Sequence, residues 1–169
     1  MGVAILVDAP YLYLGPRSSA SPSFLTKYHI TDVLSIGSTP PSTLSHITYH
    51  RISLSDDAEA PIDHAVSAAS EIITTIASHP PRRIFVHCSA AVSRSPTLMA
   101  AYLMKNRGMS LKEALGRLIT ARPAICPNPG FIAQLKHLEI TIYGRSSLEV
   151  DVLPAKKGDR LQLFCREKA

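Results

Sequence analysis

Val86-His87-Cys88-Ser89-Ala90-Ala91-Val92-Ser93-Arg94-Ser95-Pro96 is the stretch that decides how this chain is read. A cysteine and an arginine stand six positions apart with small residues between them. An apolar run, Arg83-Ile84-Phe85-Val86, leads in, and a helical pattern with Leu98, Ala101, Tyr102 and Met104 leads out to Gly108. Strand, tight loop and helix place a thiol beside backbone N–H groups at a helix N-terminus, where oriented amides attract anions. The same surroundings favour the thiolate, which is the nucleophilic form of cysteine. The N–H groups from Ser89 through Ala90, Ala91, Val92 and Ser93 to Arg94 can line such a bowl, and the planar fork of Arg94 suits two phosphoryl oxygens. Ser95 can hydrogen-bond the thiolate and help it leave a covalent intermediate. His87 is poorly placed for attack and is expected to orient the loop through its ring nitrogens. A single cysteine at a strand end is ordinarily core; the complete set is what points to phosphate, with Cys88 as the nucleophile.

Working outward, apolar runs at Val3–Val7, Tyr11–Leu14, Asp32–Ile36 and Ile47–Leu54 read as strands, the third ended by Gly37. Helical spacing covers Ile62–Ser78, where Pro80-Pro81 forbid continuation. Ser95 is expected to cap the helix after the motif, with Pro96 in its first turn. Ser110-Leu111-Lys112-Glu113 reads as a capping box opening another helix, which ends near Arg122-Pro123. Asn128-Pro129-Gly130 opens a last helix. Strands alternating with helices argue for an α/β domain. Beyond Gly144 the pattern changes. Leu148–Leu153 and Arg160–Cys165 alternate like two strands around a turn at Gly158, so residues 146–169 are expected to form a tail with a β-hairpin. An isolated hairpin is barely stable, so it is expected to dock on residues 1–145 or to pair with a second copy as a homodimer.

The chain has 169 residues, enough for one domain with its own core, and a formal net charge of +5. Its basic residues are dispersed, which argues against a nucleic-acid arm. Cys88, Cys126 and Cys165 form no C-x-x-C pair, so neither a zinc site nor a disulfide framework is indicated. Cys126 reads as a small apolar filler, with an oxidative link to Cys88 as the competing idea. Met1–Leu14 lacks a basic start and is broken by Asp8, so it does not read as a signal peptide. Gly2 is followed by Leu6 where a myristoylation signal wants Ser or Thr. No run reaches membrane-spanning length. A cytoplasmic or nuclear location with reduced thiols is the expectation.

Attack on phosphorus needs a proton for the leaving oxygen. Asp56 and Asp57 lie in the acidic loop after the Ile47–Leu54 strand, and loops at strand C-termini share one rim of an α/β sheet. Loop placement also permits closure over a substrate.

These residues resemble the dual-specificity phosphatases, a branch of the cysteine-based protein tyrosine phosphatases. The resemblance runs from about Tyr11 to Tyr143 and rests on Tyr11–Gly15, Ile30–Leu34, Tyr49–Asp56, the Cys88 motif and Arg122–Phe131. It implies a central mixed, mostly parallel sheet of about five strands with helices on both faces. It implies Asp56, not Asp57, as the general acid, and Asn128 as a support of the phosphate loop. It implies phosphorylated proteins as substrates, a phosphocysteine intermediate, and no metal or organic cofactor. One position departs from the pattern: the family usually has glycine three residues after the cysteine, and this chain has Ala91. Glycine suits positive φ or a close backbone approach. The outcomes open at this point run from normal activity to a weak or inactive pseudophosphatase that binds phosphoproteins. A phosphoinositide or RNA 5′-phosphate phosphatase is disfavoured because Ser89–Ser93 holds no Lys or Arg. A sulfurtransferase would have no use for Asp56.

Overall fold

A computed structural model describes residues 3–165. Gly2 and residues 166–169 of the tail lie outside the described residues. Five strands, β1 (Ile5–Asp8), β2 (Leu12–Leu14), β3 (Asp32–Ile36), β4 (Thr48–Ile52) and β5 (Ile84–His87), form one sheet in the order β1-β2-β5-β3-β4. Only β1 and β2 pair antiparallel; the other neighbours are parallel. The helices are α1 (Pro22–Lys27), α2 (Asp63–Ala77), α3 (Arg94–Arg107), α4 (Leu111–Ala121), α5 (Pro129–Tyr143) and α6 (Lys157–Cys165).

The three central strands are apolar on both faces, as parallel strands covered by helices must be. Leu12, Leu14, Leu34, Ile36, Ile84 and Val86 face the large core shared with α2 to α5. Tyr13, Val33 and Phe85, each one residue out of phase, face the smaller cluster with Leu25 of α1. Ser35 and His87 continue that second face at the C-terminal ends of β3 and β5, where they are register partners. Because β3, β4 and β5 run the same way, Gly37, the loop after Ile52, and Cys88 emerge at one edge of the sheet.

Local chemistry sets the helix ends. Ser110 and Glu113 make both bonds of the capping box on α4. Gly108 and Gly144 close α3 and α5 in the left-handed conformation. No helix among the described residues is long and apolar enough to cross a membrane.

Two expectations are corrected. The tail does not form a hairpin: residues 148–153 are irregular and Lys157–Cys165 is helical. Leu148 and Leu153 are buried in the main core, and α6 packs on α4. A Cβ built on Gly116 would stand 3.5 Å from Phe164, an ordinary van der Waals contact, so Phe164 of α6 lies close over this position of α4. The short alternation of Arg160–Cys165 fits either period, and the helix wins because it buries Arg160 against the carbonyls of Pro123, Pro154 and Ala155. Ser95 is not the cap of α3. The helix starts two residues earlier than that cap implies, at Arg94 with Ser93 in the cap position, and the Ser95 hydroxyl turns back to the Cys88 thiol instead.

Candidate active site

A trans peptide points its C=O and the next N–H in opposite directions. Where a loop's carbonyls are held on one side, its amides must therefore face the other. Each carbonyl from Cys88 to Ser93 is held by a donor outside the bowl. His87 Nδ1 takes Cys88 at 2.8 Å, the Arg17 N–H takes Ser89 at 2.9 Å, and Arg122 takes both Ala90 at 2.9 Å and Ala91 at 3.3 Å. The Cys126 N–H takes Val92 at 2.8 Å, and Thr97 takes Ser93 through both its N–H and its hydroxyl. The N–H groups from Ser89 to Arg94 are thereby turned to a common centre at the start of α3. This is a nest for an anion, and its ring of donors comes from β5, α3, α4's end, the segment before α5 and the turn before α1.

Cys88 sits at the floor of this nest, buried, with Ser95 Oγ at 3.1 Å from its sulfur. Arg94 spans the loop: one guanidinium nitrogen donates to the Gly37 carbonyl at 2.7 Å and another to Ser89 Oγ at 3.1 Å. Gly37 is there for a physical reason. Its φ is +56°, and a Cβ would lie 2.1 Å from the Leu54 carbonyl and 2.6 Å from Arg94. His87 is wholly buried. The Cys88 carbonyl can only accept, so Nδ1 carries the proton and Nε2 accepts from the Ser35 hydroxyl at 2.7 Å. Burial pushes the His87 pKa below its ordinary value; the Nδ1 bond to Cys88 acts the other way, and the Arg17 charge adds to the lowering. The ring is a neutral spacer between β3 and the loop.

Asp56 and Asp57 part company. Asp56 Oδ1 accepts from Asn128 Nδ2 at 3.0 Å, whereas Asp57 Oδ1 ties up the Glu59 N–H in a local turn. Asn128 joins three parts of the site: its Oδ1 caps α5 at Phe131, its side-chain amide holds Asp56, and its backbone N–H donates to Ser93 Oγ at 3.0 Å. The acidic loop is docked along α5. A Cβ on Gly130 would fall 1.9 Å from the Ala58 carbonyl, and Gln134 bonds both Ala60 O and the Ile62 N–H. These contacts tie the segment to α5. Among the described residues no cluster of His, Cys, Asp and Glu could hold a metal ion.

Ala91 answers the question its sequence position raises. Its φ is +54° and it is fully buried, so the backbone takes the conformation for which glycine is usual, at a cost of about 1–2 kcal/mol for a residue with a Cβ. The carbonyls on either side of it remain pinned.

The structure brings together Cys88, Ser89–Arg94, Ser95, His87, Asn128 and Asp56. Sequence reasoning did not find Ser35, Gly37, Arg17 or Gln134 as parts of the site, and quoted Arg122 and Gly130 only within a longer segment. For Arg122 a signal existed: the following Pro123 holds it extended (φ −141°, ψ 91°), which turns its side chain off the end of α4. Burial pulls the Arg122 pKa below that of an ordinary arginine, against the charge of Cys88.

Comparisons with known proteins agree with this geometry. The family model of the dual specificity phosphatase catalytic domain matches residues 12–141. Dual specificity protein phosphatase 5 of Rattus norvegicus is 37% identical over 135 residues, which is 79% of this chain and 35% of that protein. Dual specificity protein phosphatase 15 of Mus musculus is 37% identical over 137 residues, 80% of this chain and 58% of that protein. The chain thus spans about a third to somewhat over half the length of these relatives. The crystal structure of DUSP15 superposes with a TM-score of 0.73 at 31% identity, covering 96% of each chain. The matched residues include the strand, nest and helix around Cys88, and the chain belongs to the dual specificity phosphatase catalytic-domain family.

Proposed function

We propose that this chain is a cysteine-dependent protein phosphatase that hydrolyses phosphotyrosine and phosphoserine or phosphothreonine. The observation that carries the reading is the loop whose carbonyls are all held outward, leaving an amide-lined anion site directly over a buried cysteine. The phosphoryl group sits in this nest with two oxygens on the Arg94 fork. The Cys88 thiolate attacks phosphorus, the P–O bond to the substrate breaks, and Asp56 gives its proton to the departing oxygen. Asp56 then takes a proton from water as that water attacks the phosphocysteine, releasing inorganic phosphate and thiolate. Ser95 stabilises the departing sulfur through the hydroxyl already 3.1 Å away. Cys88 and then water supply the two attacking electron pairs, and the proton Asp56 gives to the leaving oxygen is regained from that water.

Ala91 does not open a second reading, since its positive φ keeps the loop in the shape a glycine would give it. Phosphorylated proteins as substrates, and a cytoplasmic or nuclear setting that keeps Cys88 reduced, accompany this reading. The test is hydrolysis of an aryl phosphate and of phosphotyrosine and phosphothreonine peptides by the wild type and by Cys88→Ser. Turnover in the wild type that vanishes in the variant supports the proposal; equal rates in the two overturn it.

A further inference from the structure

Ala91 is the non-glycine residue of the site with a positive φ, and one side chain is bonded to both peptide planes that define its conformation. The dihedral φ of Ala91 is set by the plane whose carbonyl is Ala90 O, and ψ by the plane whose carbonyl is Ala91 O. Arg122 donates to both, through Nη2 at 2.9 Å and Nε at 3.3 Å, and its third nitrogen holds the Val3 carbonyl at 3.3 Å. We infer that Arg122 is a positioning residue of the phosphate site: its guanidinium locks Ala91 in the left-handed conformation and so keeps the Ala91 and Val92 N–H groups turned into the nest. The inference rests on the phosphate-site reading above, but it concerns the shape of the loop, not the chemistry at sulfur.

The physical logic is a competition. With a Cβ at position 91 the left-handed state is disfavoured relative to the ordinary helical or extended regions. Leaving it means rotating one of the flanking planes, and a rotated plane exchanges an inward N–H for an inward carbonyl, which repels an anion. The rigid fork of an arginine can hold two carbonyl oxygens at once, whereas a lysine is a single point donor. Glycine at this position would need no such lock, because positive φ is freely open to it. The clamp and the missing glycine are therefore coupled: Arg122 matters more in this chain than it would beside a glycine.

The test is a double-mutant cycle read by binding of inorganic tungstate, a phosphate-like anion, in calorimetry. The proteins are the wild type, Arg122→Gln, Ala91→Gly, and the two combined, with melting curves as a check on folding. Arg122→Gln is expected to weaken tungstate binding at least about tenfold, the factor equivalent to ~1.4 kcal/mol of left-handed strain released into the loop. In the Ala91→Gly background the same substitution is expected to cost only about threefold or less, since the strain to be held is gone. Equal losses in both backgrounds, or no loss in either, overturn the inference. Arg122→Lys keeps the charge without the fork; full tungstate affinity in that variant also overturns it, by showing that charge alone suffices. Should Arg122→Gln fail to fold, Arg122→Lys with and without Ala91→Gly carries the same cycle. Because the readout is anion binding, a wild type that binds tungstate yet turns over no phosphate would contradict the phosphatase reading while leaving this cycle decisive.

Discussion

Gly37→Ala perturbs the site from a position that contains no catalytic group. The added Cβ would sit 2.1 Å from the Leu54 carbonyl, more than an ångström inside ordinary contact, and 2.6 Å from the Arg94 guanidinium. Both neighbours are held: Gly37 N–H donates to the Ile52 carbonyl at 2.8 Å and its own carbonyl takes Arg94 at 2.7 Å. Positive φ with a Cβ costs about 1–2 kcal/mol, and losing the charged bond to Arg94 costs about 1.5–3 kcal/mol. The sum, about 2.5–5 kcal/mol, corresponds to a melting-temperature drop of roughly 10 °C for a chain of this size. Displacing the Arg94 fork by about 1 Å is expected to lower kcat/KM on an aryl phosphate about a hundredfold. Melting curves and steady-state kinetics on the same preparation read both effects. A variant whose melting point and kcat/KM both stay near the wild type would refute the claim that Gly37 is the seat of Arg94.

Other consequences can be checked separately. Asp56→Asn is expected to lower kcat about a hundredfold or more on phosphoserine peptides, and less on a nitrophenyl phosphate whose leaving group needs no proton; Asp57→Asn, whose carboxylate only closes a turn, is expected to change kcat little. An unchanged Asp56→Asn rate on peptides would reassign the acid. Burial holds His87 neutral below its ordinary pKa of 6.5, so as pH falls below that value the unfolded chain takes up a proton the native ring refuses, and stability falls. Urea unfolding from neutral to mildly acidic pH is expected to show this slope, reduced in His87→Gln; equal slopes would contradict it. Arg160→Met removes three part-buried bonds to carbonyls and is expected to lower stability by about 2 kcal/mol in urea. Unchanged stability there would mean that α6 is a passenger on α4.

What was legible in the sequence was local. The Cys88–Arg94 loop, the strand before it and the helix after it lie within one short stretch, so residue order nearly fixes their geometry. The same holds for the Ser110 capping box and the left-handed glycines at the helix ends. Asp56 could be separated from Asp57 only by resemblance, and the bond to Asn128 gives that choice a physical basis. The missed residues act across long stretches of chain. Ser35 reaches His87 because β3 and β5 are neighbours in the sheet, and Gly37 seats Arg94 for the same reason. Nothing in the local composition of Ser35 or Gly37 announces either role. The tail reads as a hairpin because six residues of alternation cannot separate a strand from a helix when what decides is Arg160 finding distant carbonyls and α6 packing on α4.

The central claim is that Cys88 carries the phosphoryl group between substrate and water. Mixing the protein with an aryl phosphate, quenching in acid within a turnover and mapping phosphorylated peptides by mass spectrometry tests it directly. The account predicts one phosphoryl group on the peptide containing Cys88, absent in Cys88→Ser and longer-lived in Ser95→Ala. Sustained wild-type turnover with phosphate on another residue, or with none on Cys88, would contradict it.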